Sequence, residues 1–472
     1  MNNSKLVSVL KKLDIKERRS FLTFLDSPFF NQRADLSRIG HHIVNSFETH
    51  PKLLKKKAVW EALFPDRSYN DQHLRLLMSD LFKLLENFLA VSHVLSNASL
   101  MQYQLLKAYR EKDLQKQFEQ TLAKARRRLD RQPLRDYGYL QNSYEVEQEY
   151  YSYLGIANRM DDAPVHQLNR LADQQFAYKK LKQSCIFLAR NAILEEGNEP
   201  AILEEVISLL KEEPEQMEHT GLTVYYQLYH LMKGPAEVEH FDELLLILRR
   251  KAGFFTNEEL GDIFRLLINF CIRQLNAGQT AYTQRTFELY REGIERSYLL
   301  VGGRISNFTY INIMFSGLKL QAFDWVEHFL EKYRPTLEPL QSANIYYFCL
   351  AHLRYEEGRL EEAMKLLVRF DAKHDFFLYL SAQTTLIKIY YQLGEFDPLE
   401  SLLGSISVYL NRKHKIGYRK EAYKRMVSIC RKLIYLRPGD EERTAQIRME
   451  AGQIPIPSFR DWLLSRLEQT VS

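Results

Sequence analysis

Hydrophobic residues recur at steps of three and four along most of the chain. In NDQHLRLLMSDLFKLLENFL, residues 70–89, six apolar side chains fall on one helical face: Leu74, Leu77, Met78, Leu81, Leu85 and Phe88. A helix of about 3.6 residues per turn brings such positions to the same side, whereas a half-buried strand alternates with period two. Convincing period-two stretches are rare, and short breaks with Gly or Pro separate the helical segments. The pattern predicts an all-α protein with helices of about 12 to 20 residues.

Two segments, 344–370 and 380–406, repeat a helix–turn–helix pattern. Gly358 and Gly394 occupy the two turns and lie 36 residues apart (394 − 358). Glycine accepts the positive φ that ends a helix abruptly, and a short residue such as alanine lets two paired helices approach closely. A weaker copy spans 311–333, and the segments together predict stacked pairs of helices. The frame of the two clearer segments is formed by Leu350, Ala351, Gly358, Ala363, Tyr390 and Gly394.

This frame resembles the tetratricopeptide repeat, whose units have two helices and a period of about 34 residues. The segment 344–377 matches best, because it has both the turn glycine and the alanine of the second helix. The segment 380–406 has Leu399 where the family prefers alanine, and Pro398 lies in the first turns of its second helix. Earlier segments such as 221–251 keep the two-helix rhythm without the signature residues, so the resemblance is to a degenerate form of the repeat.

The resemblance implies a right-handed α-solenoid of antiparallel, tetratricopeptide-like helix pairs over residues 99–436. It also implies a non-enzymatic protein that binds a protein or peptide on the concave face of the array. Residues 1–98 are predicted to form an N-terminal helical domain, and residues 437–472 are predicted to form capping helices. The open end of a repeat array must be covered, and the side chains expected to cover it are Trp462, Leu463 and Leu467.

A second resemblance covers residues 36–89. A helix, a basic turn, the short helix AVWEALF, a turn with a proline and a long helix follow one another there. This order is similar to the three-helix core of winged-helix DNA-binding domains, with the segment from Trp60 to Pro65 at the junction before the recognition helix. The resemblance implies major-groove contacts by Gln72, His73, Arg75 and Ser79, and phosphate contacts by Lys55, Lys56 and Lys57.

Two features of this N-terminal segment oppose DNA binding. No β-hairpin pattern follows the long helix, so the wing of that family is missing. The long helix also carries Asp71, Asp80 and Glu86, whose negative charges phosphates would repel. The alternative interpretation of the segment is an N-terminal helical cap for the repeat array.

The net charge of +5 is unevenly distributed along the chain. Residues 1–135 have 25 Lys and Arg against 14 Asp and Glu, whereas the remaining residues have 40 against 46. A basic N-terminal part indicates an acidic partner, nucleic acid included, or only solvated helix faces. Basic runs occupy 124–135 and 411–425; in the second run Tyr418 and Tyr423 are suited to stacking on bases, although long basic side chains mostly cover an outer helix face.

The stretch SPFFN, residues 27–31, places two aromatic rings in a turn between predicted helices. The preceding helix is predicted to begin after Asp14, because Glu17 has the spacing of a capping box. We interpret Phe29 and Phe30 as a plug between the two helices, since burying a phenylalanine contributes about 1.5–3 kcal/mol. An exposed hook for a partner is the alternative.

No motif for catalysis, metal binding or phosphate binding appears in the sequence. The adjacent His41 and His42 point in different directions on a helix, and no HExxH or paired Cys/His ligand set occurs. Neither a phosphate-binding glycine loop nor G-x-S-x-G is present. We therefore expect no enzyme activity, no cofactor and no metal, while an active site assembled from distant residues would leave no such signature.

The four cysteines lie far apart in the sequence, at Cys185, Cys271, Cys349 and Cys430. No pair has metal-ligand or CxxC spacing, so we expect reduced thiols in a reducing compartment. The N-terminus lacks the apolar run of a secretory signal, and no apolar stretch approaches the ~20 residues that cross a bilayer. These features predict a cytoplasmic protein without a membrane partner, and they indicate no particular oligomeric state.

Two classes of function follow from these patterns. The primary prediction is a non-enzymatic scaffold or adaptor that binds a protein or peptide on the helical repeats. The alternative is a nucleic-acid-binding transcriptional regulator with a basic N-terminal module and the repeats as its effector domain. Salt distinguishes the two classes, because nucleic-acid binding releases counterions and weakens steeply as salt rises.

Overall fold

The structure of the protein is a computed structural model. It describes residues 4–49, 54–156, 164–194, 202–235, 237–370, 375–412, 419–436, 440–454 and 457–471. Within these ranges the chain forms 23 α-helices and no β-strand, and an isolated β-bridge joins Val301 to Arg304. The prediction of an all-α protein is confirmed. No helix in the same ranges is both long enough and apolar enough to cross a membrane.

The chain forms two compact units, unit 1 at Met1–Phe176 and unit 2 at Ala177–Ser472. The division lies within one long helix, α9 (Val165–Leu194). The domain boundaries predicted after residues 98 and 436 remain predictions. The other helices of unit 1 are α1 (Lys5–Leu10), α2 (Ile15–Asp26), α3 (Ala34–Thr49), α4 (Lys56–Leu63), α5 (Asp71–Ser96), α6 (Ala98–Glu111), α7 (Gln115–Arg131) and α8 (Tyr137–Ile156).

Helices α1 to α5 of unit 1 surround one hydrophobic core. Helix α2 begins at a capping box, as predicted: the Asp14 carboxylate accepts from the Glu17 N–H at 2.7 Å, and the Glu17 carboxylate accepts from the Asp14 N–H at 2.8 Å. Close packing of α2 on α3 requires Gly40, because a Cβ there would clash with the Leu25 side chain. Five of the six apolar residues predicted to line α5 are buried in this core: Leu74, Leu77, Leu81, Leu85 and Phe88.

Helices α6 to α8 form a second core in unit 1. One residue of the basic run at 124–135 joins two helices of this core, since Arg126 on α7 forms an ion pair with Glu147 on α8. Its Nε and Nη2 donate to the two carboxylate oxygens at 2.8 and 2.6 Å. The guanidinium also lies 4.5 Å from the centre of the Tyr150 ring. This arginine is therefore engaged within unit 1.

The remaining helices of unit 2 follow one another with short connections. They are α10 (Leu203–Glu212), α11 (Thr220–Lys233), α12 (Val238–Lys251), α13 (Asn257–Asn276), α14 (Tyr282–Glu295), α15 (Asn307–Lys319), α16 (Phe323–Tyr333), α17 (Ser342–Glu356), α18 (Leu360–Val368), α19 (Phe376–Leu393), α20 (Phe396–Arg412), α21 (Arg419–Ile434), α22 (Glu441–Gly452) and α23 (Pro457–Val471). From α13 to α20 each odd-numbered helix packs on the even-numbered helix that follows it. We call α13, α15, α17 and α19 the first helices, and α14, α16, α18 and α20 the second helices.

The four pairs share one turn geometry after the first helix. A residue with positive φ follows each first helix, and the next residue donates its N–H to the carbonyl oxygen five positions earlier, as Arg359 does to Arg354 at 2.8 Å. This is the bonding of a Schellman turn, which satisfies the last carbonyls of the helix. The positive-φ residues are Gly278, Gln321, Gly358 and Gly394.

Contacts also join successive pairs. Among the first helices, α15 packs on α17 and α17 packs on α19. The Phe315 ring of α15 meets His352 of α17 edge to face at 5.1 Å, and His352 Nε2 lies 3.2 Å from Thr385 Oγ1 of α19. Among the second helices, Phe287 of α14 meets Trp325 of α16 edge to face at 4.9 Å. First helices thus contact first helices, and second helices contact second helices.

The C-terminal helices share a core with α19 and α20. Trp462, Leu463 and Leu467 of α23 are buried there, together with residues of α20, α21 and α22. Tyr423 also packs against this core and lies near Phe376, with ring centres 6.4 Å apart. The Tyr423 ring therefore packs on this core, whereas the sequence left stacking on bases open for it. Tyr418 lies outside the described residues.

The turn between α2 and α3 contradicts the plug interpretation for one of its two rings. The Phe29 side chain is 87% exposed, so it fills no gap between helices. Phe30 is 39% exposed and stacks on Phe24 of α2, with ring centres 4.1 Å apart. Asn31 fixes the turn, since its side-chain amide donates to the Leu25 carbonyl oxygen at 2.9 Å. One ring therefore covers the end of α2, and the other is presented to solvent.

Candidate functional site

The repeat-frame residues predicted from the sequence lie at the contact between α17 and α18 and in the following pair. Ala351 and Ala363 are fully buried, which suits a close approach of two helices. Leu350 and Tyr390 are half-buried. Together with the glycines of the turns, these residues build the framework of unit 2, and the exposed surface is provided by others.

Helix α15 presents an aromatic stripe to solvent. Its exposed positions recur at steps of four, three and four, so they lie on one side of the helix. Phe308 is 66% exposed and Phe315 is 40% exposed, whereas most large apolar residues of this helix are buried. On the neighbouring first helix α17, Tyr347 is 42% exposed. The exposed side chains of α15 and α17 are called the first-helix face; on α15 they are Phe308, Asn312, Phe315 and Lys319.

The second helices of the same region have a different surface. In the described residues of α14 and α16, every exposed side chain is polar or charged. The aromatic rings of these two helices are buried or half-buried, as Phe287 and Trp325 are. Exposure of aromatic rings in this part of unit 2 is thus a property of the first helices. The exposed residues of α14 and α16 are Gln284, Arg291, Glu295, Asp324, His328, Glu331 and Lys332.

A buried histidine supports the exposed ring of Phe315. His352 Nδ1 lies 2.9 Å from the carbonyl oxygen of Phe348, which can only accept, so Nδ1 is protonated and Nε2 accepts from the Thr385 hydroxyl. Burial, together with the nearby charge of Lys388, lowers the pKa of His352 to about 4. The ring is therefore neutral near pH 7 and joins three successive first helices.

A cavity of about 150 Å³ opens beside α13. Its lining combines a guanidinium and two side-chain amides with apolar groups. Arg273 lies between Asn269 and Asn276 on one side of α13, because the three residues follow at steps of four and three. The other lining residues come from α9, α11 and α13, and they are Ala189, Met232, Phe270 and Ile272.

Arg273 is held in place without a carboxylate partner among the described residues. Its Nη2 donates to the Met232 carbonyl oxygen at 3.0 Å, in the last turn of α11, where carbonyl groups lack helical partners. The guanidinium carbon lies 5.4 Å from the centre of the Phe270 ring. Burial lowers the pKa of Arg273, and no neighbouring acid raises it. A cation with unused donors therefore lines the cavity.

The residues proposed for nucleic-acid contacts are exposed in unit 1. Lys55, Lys56 and Lys57 lie at the start of α4, and the four predicted groove residues lie on α5. One of them has an internal partner, since the His73 ring meets the buried Trp60 edge to face at 5.6 Å. The exposed groove residues are Gln72, His73, Arg75 and Ser79.

Asp71 neutralises part of this basic surface. Its two carboxylate oxygens lie 2.7 Å from Lys56 Nζ and from Arg75 Nε. Hydrogen bonds from Lys56 and Tyr69, with the charge of Arg75, lower the pKa of Asp71 to about 2. Lys55 and Lys57 form no ion pair within the part of the chain that the structure describes. The lysine cluster is therefore the accessible cationic part of the surface.

The four cysteines are free and buried, at positions 185, 271, 349 and 430. Burial raises the pKa of each thiol, to about 12 for Cys271, so the thiolate form that reacts or binds metal is disfavoured. Across the described ranges, no cluster of three or more His, Cys, Asp or Glu side chains has an arrangement that could hold a metal ion.

Comparisons of the chain with protein-family models, with curated proteins and with solved structures found no match.

Several residues of the candidate surface were not identified from the sequence. The signal for Phe308 and Phe315 is their separation of seven residues with polar Asn312 between them, which places two rings on a polar side of α15. Arg273 carries no such signal. Its relevant property is the absence of a carboxylate partner among the described residues, and that depends on helices distant in sequence.

Proposed function

We propose that unit 2 is a right-handed α-solenoid of tetratricopeptide-like helix pairs, and that it acts as a non-enzymatic scaffold or adaptor which binds a protein or peptide segment. The binding surface is the first-helix face, on the concave side of the array. The repeated Schellman turns support this proposal, as do the contacts of first helices with first helices. Such stacking is the arrangement by which helical repeats bury a continuous core and create an extended binding surface.

The exposure of aromatic rings on the first helices is the observation that carries the proposal. Phe308, Phe315 and Tyr347 expose apolar surface, while the second helices α14 and α16 expose only polar side chains in the described residues. Aromatic residues provide much of the binding energy in protein interfaces, because they bury a large area with few rotatable bonds. From α14 to α17 the exposed phenylalanine and tyrosine rings of the described residues all lie on first helices, which favours a partner on that side.

Site-specific photocrosslinking tests the proposal. A benzoylphenylalanine placed at Phe315 in the full chain should form covalent adducts with a discrete protein after irradiation in the native lysate. The matched control is the same amino acid at His328, an exposed position on the second helix α16. Adducts at 315 and none at 328 support the first-helix face. Equal adducts at both positions, or none at either, contradict it.

Binding of nucleic acid by unit 1 is a second candidate function. The three exposed lysines at the start of α4, two of which form no ion pair among the described residues, support it. Under this proposal Lys55, Lys56 and Lys57 contact phosphates, and α5 supplies Gln72, His73, Arg75 and Ser79 to the bases. The acidic residues of α5, such as Asp71 and Asp80, reduce the attraction.

A binding titration with random-sequence duplex DNA tests the second candidate. Affinity should fall steeply between 50 and 200 mM salt, because phosphate contacts release counterions. Replacing Lys55, Lys56 and Lys57 by glutamine should reduce both the affinity and the salt dependence. Binding that is absent at 50 mM salt, or unaffected by the triple substitution, excludes this role of the lysines.

A further inference from the structure

Arg273 differs from several other half-buried arginines of the described residues in having no carboxylate partner. Arg285 pairs with Asp242 at 2.5 Å, and Arg126 pairs with Glu147 at 2.6 Å. In each case the carboxylate compensates for the hydration that the cation loses on burial. Arg273 has a backbone carbonyl oxygen as its partner and an aromatic ring beside it. Its charge is therefore not balanced by an acid of the described chain.

The contacts of Arg273 explain why a cation is tolerated there but use few of its donors. The Met232 carbonyl belongs to the last turn of α11, where the helix dipole favours positive charge. The Phe270 ring adds a cation–π contact. A guanidinium has five N–H donors, and the bond to Met232 occupies one. The side chain is thus held in position beside the cavity with donors left for a ligand.

We propose that the Arg273 cavity binds the carboxylate of a ligand that carries a short apolar group next to the acid. Arg273 binds the carboxylate in the bidentate geometry that guanidinium and carboxylate share. Asn269 and Asn276 provide further amide donors, and Met232 and Ile272 contact the apolar group. If unit 2 binds a peptide, as the proposed function states, the carboxylate is an Asp or Glu side chain of that peptide. A free short carboxylic acid has the same chemistry.

The size of the cavity limits the ligand. A volume of about 150 Å³ is smaller than the ~300–1,000 Å³ of pockets that enclose drug-sized molecules. One acidic side chain with an apolar neighbour, or a small branched carboxylic acid, matches this size. The lining has no second cation for a polyanion such as a nucleoside phosphate.

A peptide selection followed by a double-mutant cycle tests the proposal. The full-length protein selects binders from a random heptapeptide library, and we expect enrichment of Asp or Glu next to an apolar residue. Changing the selected acid to its amide should weaken binding to the wild type by about 10- to 100-fold. The same change should have no effect on binding to Arg273→Gln, because the partner of the acid is gone.

Arg265→Gln is the matched control, since Arg265 lies on the same helix but is exposed and paired with Asp262 at 2.7 Å. This variant should retain the preference for the acid. A melting curve for each variant establishes that it is folded. If Arg273→Gln does not fold, the affinity that the wild type loses when the acid of the peptide becomes an amide is still measured. Asn269→Ala should make this loss of affinity smaller.

A titration with 3-methylbutanoate, observed by NMR, distinguishes the two sources of the carboxylate. The carboxylate site is supported if 3-methylbutanoate produces saturable shifts in the wild type, 3-methylbutanamide does not, and Arg273→Gln abolishes them. This holds even when no peptide is selected. In that case the proposed peptide function is wrong and the carboxylate site stands. Selected peptides without an acid, together with no response to 3-methylbutanoate, overturn the carboxylate site and leave the peptide function intact. If neither probe binds, both proposals are wrong.

Discussion

At the scale of single residues, neighbouring side chains of the same type have different roles. Phe29 and Phe30 are adjacent in the sequence, yet one ring is exposed and the other stacks on Phe24. The backbone of the turn decides this difference, because the N–H groups of Phe30 and Asn31 both donate to the Ser27 carbonyl oxygen and fix the chain direction. The exposed ring is therefore presented by a turn of defined shape.

Substitution of each ring by alanine measures this difference. Phe30→Ala should lower the free energy of unfolding by about 1–2 kcal/mol, from lost stacking and lost burial. Phe29→Ala should change it by less than about 0.5 kcal/mol, since the side chain is 87% exposed. Urea denaturation of the full chain provides both values. An equal loss for Phe29→Ala would show that its ring is buried in solution.

Sequence patterns predicted the buried positions at this scale better than the exposed ones. The apolar stripe of α5 and the capping box at Asp14 depend on spacing within one helix, and both were predicted correctly. Phe29, Tyr423 and Arg273 could not be placed, because their surroundings come from other elements. A residue type and its neighbours in sequence do not determine what lies across a helix contact.

At the scale of elements, close contact between the helices of a pair depends on small residues. Gly317 of α15 faces Val326 of α16, and a Cβ at this position would clash with the valine side chain. Glycine inside a helix otherwise lowers the stability of that helix. Its presence there indicates a packing requirement.

Gly317→Ala tests this requirement. The added methyl group should lower the free energy of unfolding by about 1–3 kcal/mol through overpacking. Gly404→Ala on α20 is the matched control, because nothing lies within 4 Å of its Cβ position. There the higher helix propensity of alanine should stabilise the protein by about 0.5–1 kcal/mol. Equal effects at the two positions would mean that α15 and α16 are not in close contact.

The pKa of the buried His352 predicts how stability depends on pH. Its folded-state pKa of about 4 lies below the ordinary value near 6.5. Between these values the unfolded chain binds the proton more readily, so the free energy of unfolding should decrease as pH falls from about 6.5 to about 4. The full difference corresponds to roughly 3 kcal/mol.

Urea denaturation at a series of pH values measures this dependence. His352→Gln should flatten the curve between pH 6.5 and 4, whereas His328→Gln, at an exposed position on α16, should leave it unchanged. A wild-type curve that is level in this window would contradict a buried neutral imidazole at the contact of α15, α17 and α19.

The turns between paired helices show how much of the element structure glycine positions in the sequence can predict. Gly358 and Gly394 were predicted to end helices by positive φ, and both do so. Gln321 adopts the same conformation, although αL costs a non-glycine residue roughly 1–2 kcal/mol. The turn between α15 and α16 has no glycine at this position, so glycine spacing alone could not reveal Gln321 as one of the four members of the series.

At the scale of the whole molecule, helical periodicity predicted the fold class, and the described residues confirm it. The division after Phe176 had no signal in composition, because it falls within the continuous helix α9. Binding surfaces are harder to predict than cores, because they combine exposed residues of different helices. The first-helix face is formed by exposed residues of neighbouring helices that lie far apart in the sequence.

The central claim is that a protein partner binds the first-helix face of unit 2. The most direct measurement is affinity purification of the tagged full-length protein from its native lysate, with and without nuclease, followed by quantitative mass spectrometry. The wild type is compared with a Phe308→Ser, Phe315→Ser variant and with Phe396→Ser, a control ring exposed on the second helix α20.

We predict that the wild type enriches a discrete protein partner with or without nuclease, and that the control variant does the same. The double variant should reduce this enrichment by at least about tenfold, since each aromatic anchor of an interface contributes about 2 kcal/mol or more. Enrichment that disappears with nuclease in all three proteins would contradict the claim and place the function in the basic surface of unit 1.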